Sequence, residues 1–592
     1  MNAPSPAPAR AFDAATSLTG MPWEWRYRGG DDLSRDLVDQ LLLARGVLET
    51  DLARERDPRI RDFLPDPSVF ADMDKAAVRL ADAIEKNETI AIFGDYDVDG
   101  ATSAALLALL LRRLGIEPML YIPDRLLEGY GPSADALVGL KQKGADLVVT
   151  VDCGAQGFEA LKAAADADLE VIVCDHHQCS SELPIAHAMI NPNRLDESEE
   201  GAAHGHLAAV GMAFLLGVAL LRELRTRGHF VGDKPEPQII DLLDLVALGT
   251  VADVARLRTL NRAFVTQGLK IMAQGRNVGL AALMDASRLT RAPQSRDLGF
   301  ALGPRINAGG RVGQADLGVR LLTTTDPEEA RAIASELDRY NEERRAIEAA
   351  VQEEAMAQAE RQADDAIILV SGEGWHPGVV GIVASRLKER FHRPTFVTAI
   401  GEDGTGKGSG RSISGVDLGA AVLSAKDEGL LVAGGGHAMA AGITVAPGGV
   451  PALKAYLDER LADVVETARS GRSLVVDAML SPGGVAGDLC DRIDQAGPYG
   501  AGWPAPRMAV GPVRLHRSGI VGNGHVRTIA IGDDGKSFKA IAFRAADTPL
   551  GQALLSASPD GRFFLAGTIK RDEWTGGGAA EMHIEDIATL RA

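Results

Sequence analysis

The stretch Ile90-Ala91-Ile92-Phe93-Gly94-Asp95-Tyr96-Asp97-Val98-Asp99-Gly100 constrains this chain more than any other. Its apolar run predicts a buried strand, three acids at alternate positions follow, and Gly100 opens an Ala/Leu-rich helical segment. Carboxylates at the carboxyl end of a parallel strand stand where open α/β sheets place their ligands. Packed so closely they repel one another unless a divalent cation holds them. D-x-D-x-D-G is also the opening of a calcium-binding EF-hand loop. Counting from Asp95, however, Leu106 falls where that loop needs a bidentate Glu, and a strand precedes the motif where a helix is required.

The sequence around this motif alternates strand and helix. Thr89–Phe93, Pro118–Ile122, Leu147–Val151 and Glu170–Cys174 read as strands, with Ala101–Leu114, Ser133–Lys143 and Phe158–Ala167 as helices between them. That alternation predicts a parallel sheet covered by helices on both faces. Polar clusters recur at the strand ends: Asp95/Asp97/Asp99, Asp124-Arg125, Asp152, and Asp175-His176-His177. A later helical segment, Ile239–Thr250, leads to Asp253. Two adjacent histidines at a strand end point in different directions, so one can ligate a metal while its neighbour faces substrate. Together these carboxylates and imidazoles suffice for two divalent cations. Oxygen-rich ligands with one imidazole suit Mn²⁺ or Mg²⁺.

A chain of 592 residues needs several cores. The Ala/Glu/Arg-rich stretch from Pro327 to about Ala363 predicts one helix of roughly 55 Å, of the kind that bridges domains. A second α/β unit begins at Ile367–Val370. It carries Trp375-His376-Pro377-Gly378, the glycine-rich Gly406–Ser412 and the run Gly434–His437. Arg125, Arg305, Arg311, Ser409 and Arg411 are expected in loops, with phosphate-binding chemistry. Past Ser470, short alternating runs between glycine turns predict a small β-barrel such as an OB-fold. The predicted division is therefore 1–75 an N-terminal extension of helix and loop, disordered at its Pro/Ala-rich start, 76–325 catalytic, 326–363 the connecting helix, 364–468 substrate-binding and 470–592 the barrel.

The net charge of −20 argues against a phosphate-rich partner when taken over the whole chain. Residues 473–592, however, are nearly balanced, so local charge leaves nucleic acid open. Leu207 to Leu221 is the longest uncharged apolar run and is too short to span a bilayer, so no membrane is expected. Four cysteines without a CxxC pair predict a reducing cytoplasm.

GDYDVDG, VDCG, DHH and GTVADV, in this order, resemble the four motifs of the DHH phosphoesterase superfamily. PDRLLEGYG, GPRINAGGR, WHPGVVGIVASRL, GKGSGRS, GGGHAMAAG and QAGPYGAGWPAP are similar to those of bacterial RecJ single-strand-DNA exonucleases. The resemblance implies a DHH domain, a DHH-associated domain and an OB-fold, acting as a 5′→3′ exonuclease that releases 5′-mononucleotides in repair and recombination. It implies that Asp97 ligates one metal and Asp99 the other, that Asp152 bridges them, and that His176 and Asp253 complete the second ion's shell. His177 would stand against the scissile phosphate. Pyrophosphatase members of the superfamily carry a histidine where this chain has Phe93, which leaves Asp95 as a substitute ligand, directly or through water. A 5′-phosphate pocket is implied among Arg125, Arg305, Asn307, Arg311, Ser409, Arg411 and His437. The partners implied are single-stranded DNA, a single-strand-binding protein and a repair helicase, with the chain a monomer. Two other readings stay open: a small-substrate phosphodiesterase acting on dinucleotides, and an inactive replication scaffold.

Overall fold

The computed structural model describes residues 15–26, 35–124, 128–232, 234–572 and 578–590. Arg125 lies outside the described residues, as does the Pro/Ala-rich start.

The first α/β unit is built on five parallel strands, β3 (Ile90–Gly94), β4 (Met119–Tyr121), β5 (Leu147–Val151), β6 (Glu170–Cys174) and β7 (Ala188–Ile190), in the order β4-β3-β5-β6-β7. Every residue of β3 and β5 is buried, which is why both read as unbroken apolar runs. The chain leaves β3 for β4 on one side and returns to β5 on the other. The acids following β3 and Asp152 following β5 therefore face each other across a topological switch point, where such sheets open a crevice. Strand β7 has three residues and was not legible in the sequence.

The helix Pro327–Glu360 spans 34 residues and bridges two cores. Ala330, Ile333, Ala334 and Leu337 pack into the first unit's core, whereas Val351, Ala355 and Ala359 pack into the second's. The second unit's sheet, β8 (Ile368–Glu373), β9 (Thr395–Ile400), β10 (Gly406–Arg411), β11 (Ala433–His437) and β12 (Ala440–Val445), runs β11-β12-β10-β9-β8. Only β8 and β9 pair in parallel, so the sheet is mixed.

In the C-terminal region β15 (Arg507–Val521), β16 (His525–Gly532), β17 (Ser537–Ala542), β18 (Phe563–Arg571) and β19 (Ala580–Leu590) close on themselves. β15 pairs β16, β16 pairs β17, β17 pairs β19 in parallel, and β18 joins β19 back to β15. This closed five-stranded barrel, with the helix Pro549–Leu555 between β17 and β18, is the OB arrangement.

The structure departs from the sequence expectations in three places. The stretch Gly303–Gly310 and Arg311, expected as a loop, is the helix Gly303–Val312, entered through a π-turn at Leu298–Leu302. Its Pro304 occupies the first helical turn, where a missing N–H costs nothing. Gly406–Arg411 is a strand, β10, and Gly434–His437 lies in β11. In β10 the glycines alternate on a face where neighbours approach too closely for a side chain: a Cβ would stand 2.8 Å from Thr398 at Gly406, 2.6 Å from Thr398 at Gly408 and 2.5 Å from Phe396 at Gly410. Finally, the N-terminal extension contains strands. β1 (Ala15–Ser17) pairs antiparallel with β19, and β2 (Trp23–Trp25) pairs parallel with β13 (Leu474–Val476).

Candidate metal centre and phosphate pocket

The acids after β3 are fixed by local backbone geometry. Asp97 caps the helix Val98–Arg113, its Oδ1 accepting from the amides of Asp99 at 2.8 Å and Gly100 at 3.1 Å. Asp99 is buried and accepts from two amides opening the helix Ala209–Thr226, Ala209 at 2.7 Å and Val210 at 2.9 Å. The positive end of that helix dipole, together with the charge of His177, favours a carboxylate there. Asp152 follows β5 in a left-handed conformation, φ 61°, and Asp253 ends the helix Leu243–Ala252. A non-glycine residue held at positive φ is a strain that surrounding structure must fix.

These side chains form two outer ligand groups linked by a third, Asp152, His176 and His177, which shares Asp152 with one and His176 with the other. Asp95, Asp97 and Asp152 offer oxygens within 4.8 Å of one another, and so do Asp99, His176 and Asp253. Asp152 Oδ1 stands 3.2 Å from His176 Nε2, which joins the groups. Both of these atoms are buried, and neither has a hydrogen-bond partner. His176 Nδ1 faces the Leu207 carbonyl at 3.1 Å, so the proton sits there and the Nε2 lone pair points at the acids. Orphaned buried donor atoms aimed at a common point, in an oxygen-rich set with one imidazole, fit divalent cations. Phe93 points into the opposite face of the sheet, stacked on Tyr121. Asp95, by contrast, is buried within the first ligand group.

Asp175 was named in the sequence only as part of its cluster with the two histidines and was given no role of its own. Its Oδ1 accepts from the backbone amides of His176 and His177, Oδ2 accepts from Ala155, and Oδ1 lies 2.7 Å from His177 Nδ1. Burial pushes Asp175 upward, but the hydrogen bond and charge of His177 outweigh it and hold the carboxyl at about 2. Burial lowers His177, and the Asp175 carboxylate overcomes this and raises it to about 9. The Tyr130 hydroxyl, 3.0 Å from His177 Nδ1, donates to the Asp152 carbonyl. Tyr130 is half exposed at the same edge, and sequence reasoning passed over it. Asn191 and Asn193, read only as a turn, donate to the carbonyls of His177 and His176.

Electrostatics set the acids apart. Burial, then Asp97, raises Asp99 to about 7. Burial, then Asp99 and Asp97, raises Asp253 to about 9, and burial with the neighbouring acids lifts Asp152 well above the usual carboxylate range. Without cations these three acids hold more protons in the folded than in the unfolded chain from about pH 4 up to about pH 9. Below about pH 6.5 they are opposed by His176, which burial lowers to about 4, so above that range their stabilisation is lost as pH rises. Bound cations replace those protons. The Tm of metal-free protein should drop from about pH 6 to about pH 8, and the gain in Tm on adding Mn²⁺ should grow over the same interval. A Mn²⁺-induced shift equal at both pH values, measured by calorimetry, would contradict this.

A second feature is a pocket of about 300 Å³ lined by Phe300, Arg311, Gly378, Gly381, Ser409 and Arg411, among others. Arg411 donates to Ser409 Oγ at 2.7 Å, and Arg311 to the Gly378 carbonyl at 2.7 Å. The neighbouring Gly310 approaches the acidic motif so closely that a Cβ would stand 2.9 Å from the Tyr96 carbonyl, so the helix that carries Arg311 to the pocket packs directly on that motif. The structure therefore brings together Arg311, Ser409 and Arg411. Arg305 turns away to pair with Asp338 of the bridging helix at 2.8 Å, and neither it nor Asn307 lines the pocket. His437 is exposed at the end of β11 and outside the pocket as well.

Comparison with known proteins agrees with this geometry. Residues 89–250 match the DHH family, N-terminal domain, 364–463 the DHHA1 domain and 476–586 the RecJ OB domain. The single-stranded-DNA-specific exonuclease RecJ of Dickeya dadantii is 38% identical over 504 residues, 83% of this chain and 86% of that protein. Its counterpart in Bacillus subtilis is 35% identical over 561 residues, 93% of this chain and 68% of that protein. The crystal structure of RecJ from Thermus thermophilus in complex with Mn²⁺ superposes with a TM-score of 0.75 at 30% identity, covering 93% of this chain and 75% of that one. With all three domains matched and relatives 35–38% identical over most of its length, this chain belongs to the RecJ family of single-stranded-DNA-specific exonucleases.

Proposed function

We propose that this chain hydrolyses single-stranded DNA from its 5′ end with two divalent ions, Mn²⁺ or Mg²⁺, releasing 5′-mononucleotides. The observation that carries the reading is the pair of ligand groups meeting at Asp152 and His176, together with an arginine-serine pocket whose Arg311 comes from a helix packed on the acidic motif. Asp95, Asp97 and Asp152 would hold one ion, and Asp99, His176, Asp253 and Asp152 the other. When bound, such a pair lowers the pKa of a water and neutralises charge on the attacked phosphate. The chain's own residues do the rest. His177, fixed by Asp175 and half exposed, is placed to donate a hydrogen bond to the phosphate as charge develops. Arg311, Ser409 and Arg411 hold the terminal 5′-phosphate, which sets polarity. The barrel tracks the remaining strand by backbone contacts and stacking.

On this reading the chain acts as a cytoplasmic monomer in DNA repair and recombination, alongside a single-strand-binding protein and a helicase. No helix among the described residues is long and apolar enough to cross a membrane. The proposed division stays at residues 1–75 as an N-terminal extension, then 76–325, 326–363, 364–468 and 470–592.

The test is a substrate panel in Mn²⁺: a long single strand, the corresponding duplex and a dinucleotide. Rapid turnover of the single strand is expected. Turnover confined to the dinucleotide would select a small-substrate phosphodiesterase, and none at all a scaffold. Replacing Arg411 with alanine should cut the preference for 5′-phosphorylated over 5′-hydroxyl ends about tenfold, the worth of a charge-assisted contact. The ratio of kcat/KM on the two ends measures it, and an unchanged ratio removes Arg411 from the pocket.

A further inference from the structure

The stretch Gln495–Pro506, rich in glycine, proline and aromatics, enters neither the ligand groups nor the pocket. It packs on the residues that follow Asp253. The Leu257 amide donates to the Ala501 carbonyl at 2.8 Å, and Ser295 Oγ donates to the Tyr499 carbonyl at 2.8 Å. Gly500 lies so close that a Cβ there would stand 2.8 Å from Leu257 Cδ1. The loop is itself rigid. Gly500 and Trp503 exchange backbone hydrogen bonds, the buried Trp503 indole donates to the Ala496 carbonyl at 2.8 Å, and Arg262 lies 4.7 Å over its ring. The Arg262 guanidinium, fully buried, also pairs with Glu55 at 2.6 Å and donates to the Gly497 carbonyl.

The segment it supports needs support. Val254, the residue after Asp253, has φ 62°, and Thr259 has φ 46°. Both are β-branched, the residues least tolerant of that region. Val254 is 69% exposed, so its side chain does not hold the turn in place. Backbone bonds end the helix, the Ala255 amide donating to the Thr250 carbonyl at 3.2 Å, and beyond them the turn is held by the loop on one side and the buried Asn261 on the other. Asn261 Nδ2 donates to the Arg256 carbonyl at 3.1 Å and to the His206 carbonyl at 2.7 Å. His206 precedes Leu207, whose carbonyl orients His176. Ligand side chains need positioning to a fraction of an ångström, and their supports tune metal affinity.

We propose that the Tyr499–Trp503 loop of the C-terminal region is the positioning element for Asp253, clamping the strained Asp253–Thr259 turn so that the carboxylate stands in the second ligand group. The inference rests on the two-metal reading above. It makes the barrel's attachment part of the metal centre, since Leu257 and Trp503 also belong to one continuous apolar core joining the catalytic unit to the barrel.

The experiment is a Mn²⁺ titration of the full chain by isothermal calorimetry, comparing wild type, Asp253→Asn, Gly500→Ala and Gly500→Ala/Leu257→Ala. Gly500→Ala should weaken one of two Mn²⁺ sites about tenfold, the scale of a lost outer support. Truncating Leu257 makes room for the new methyl and should restore most of that affinity. Single-strand binding, followed by fluorescence anisotropy, should be unchanged in both. Wild-type Mn²⁺ affinity in a folded Gly500→Ala protein would overturn the proposal, as would loss that the Leu257 truncation does not relieve. Should Gly500→Ala not fold, Trp503→Phe, which removes only the indole donor and trims the ring, takes its place with the same expected loss. Asp253→Asn separates the two claims. If it leaves both Mn²⁺ sites intact the two-metal reading fails, whereas if it removes one site that Gly500→Ala leaves untouched, only the clamp fails.

Discussion

Replacing Asp152 with alanine is expected to abolish hydrolysis, lowering kcat by about 10³-fold or more, because the cations supply several kcal/mol of transition-state stabilisation. Asp152 is the one carboxylate that stands in the group with Asp95 and Asp97 and also within 3.2 Å of His176. Its loss therefore affects both ions. Single-strand binding, which depends on the pocket and the barrel, should stay close to wild type. Asp152 has φ 61°, a conformation that asparagine tolerates better than alanine. Asp152→Asn is the sharper variant, since it keeps the shape and the backbone while removing the charge. Both variants should be inactive. The metal-free Asp152→Asn protein should be at least as stable as wild type near neutral pH, because a buried acid surrounded by four others has been neutralised. Substantial turnover by either variant would refute the bridging role.

The second large effect is at His177. Alanine there should reduce kcat by about 10²- to 10³-fold, the range for removing one preorganised donor to a developing charge. Mn²⁺ affinity should persist, since His176, not His177, aims an orphaned nitrogen at the acids. Asp175→Asn should act in the same direction but less strongly, because Asp175 touches His177 and not the substrate. Single-turnover rates at saturating Mn²⁺ distinguish these effects from metal loss. A His177→Ala protein that loses Mn²⁺ in proportion to activity would instead make His177 a ligand.

The parts of this site legible in the sequence were those whose chemistry is concentrated at strand ends. The alternating acids after β3, Asp152 after β5 and the histidine pair after β6 stand where the parallel sheet puts its crevice, so spacing and topology located them together. Residues that act through the backbone were harder to read. Asn191 and Asn193 look like any turn until they are seen holding the carbonyls of His176 and His177, and Tyr130 reaches His177 across the sheet from a loop. The phosphate-binding candidates were expected in loops, because glycine-rich sequence reads as irregular, yet Gly406–Arg411 is a strand whose three glycines face neighbours too close for a side chain. Arg305 and Arg311 share one short helix, and helical geometry sends one to Asp338 and the other to the pocket. The N-terminal strands β1 and β2 are three residues each, and their partners lie at the far end of the chain, so no local pattern could reveal them.

The central claim, that two ions at the crest of this sheet act on a strand entering by its 5′ end, is tested most directly with end-labelled DNA. A long single strand carrying label at either its 5′ or its 3′ terminus is mixed with the protein and Mn²⁺, and early products are resolved by size. Immediate release of labelled mononucleotide from the 5′ end, with the 3′ label retained in progressively shorter strands, is the predicted result. Mononucleotide released first from the 3′ label, or internal fragments from both, would contradict the account.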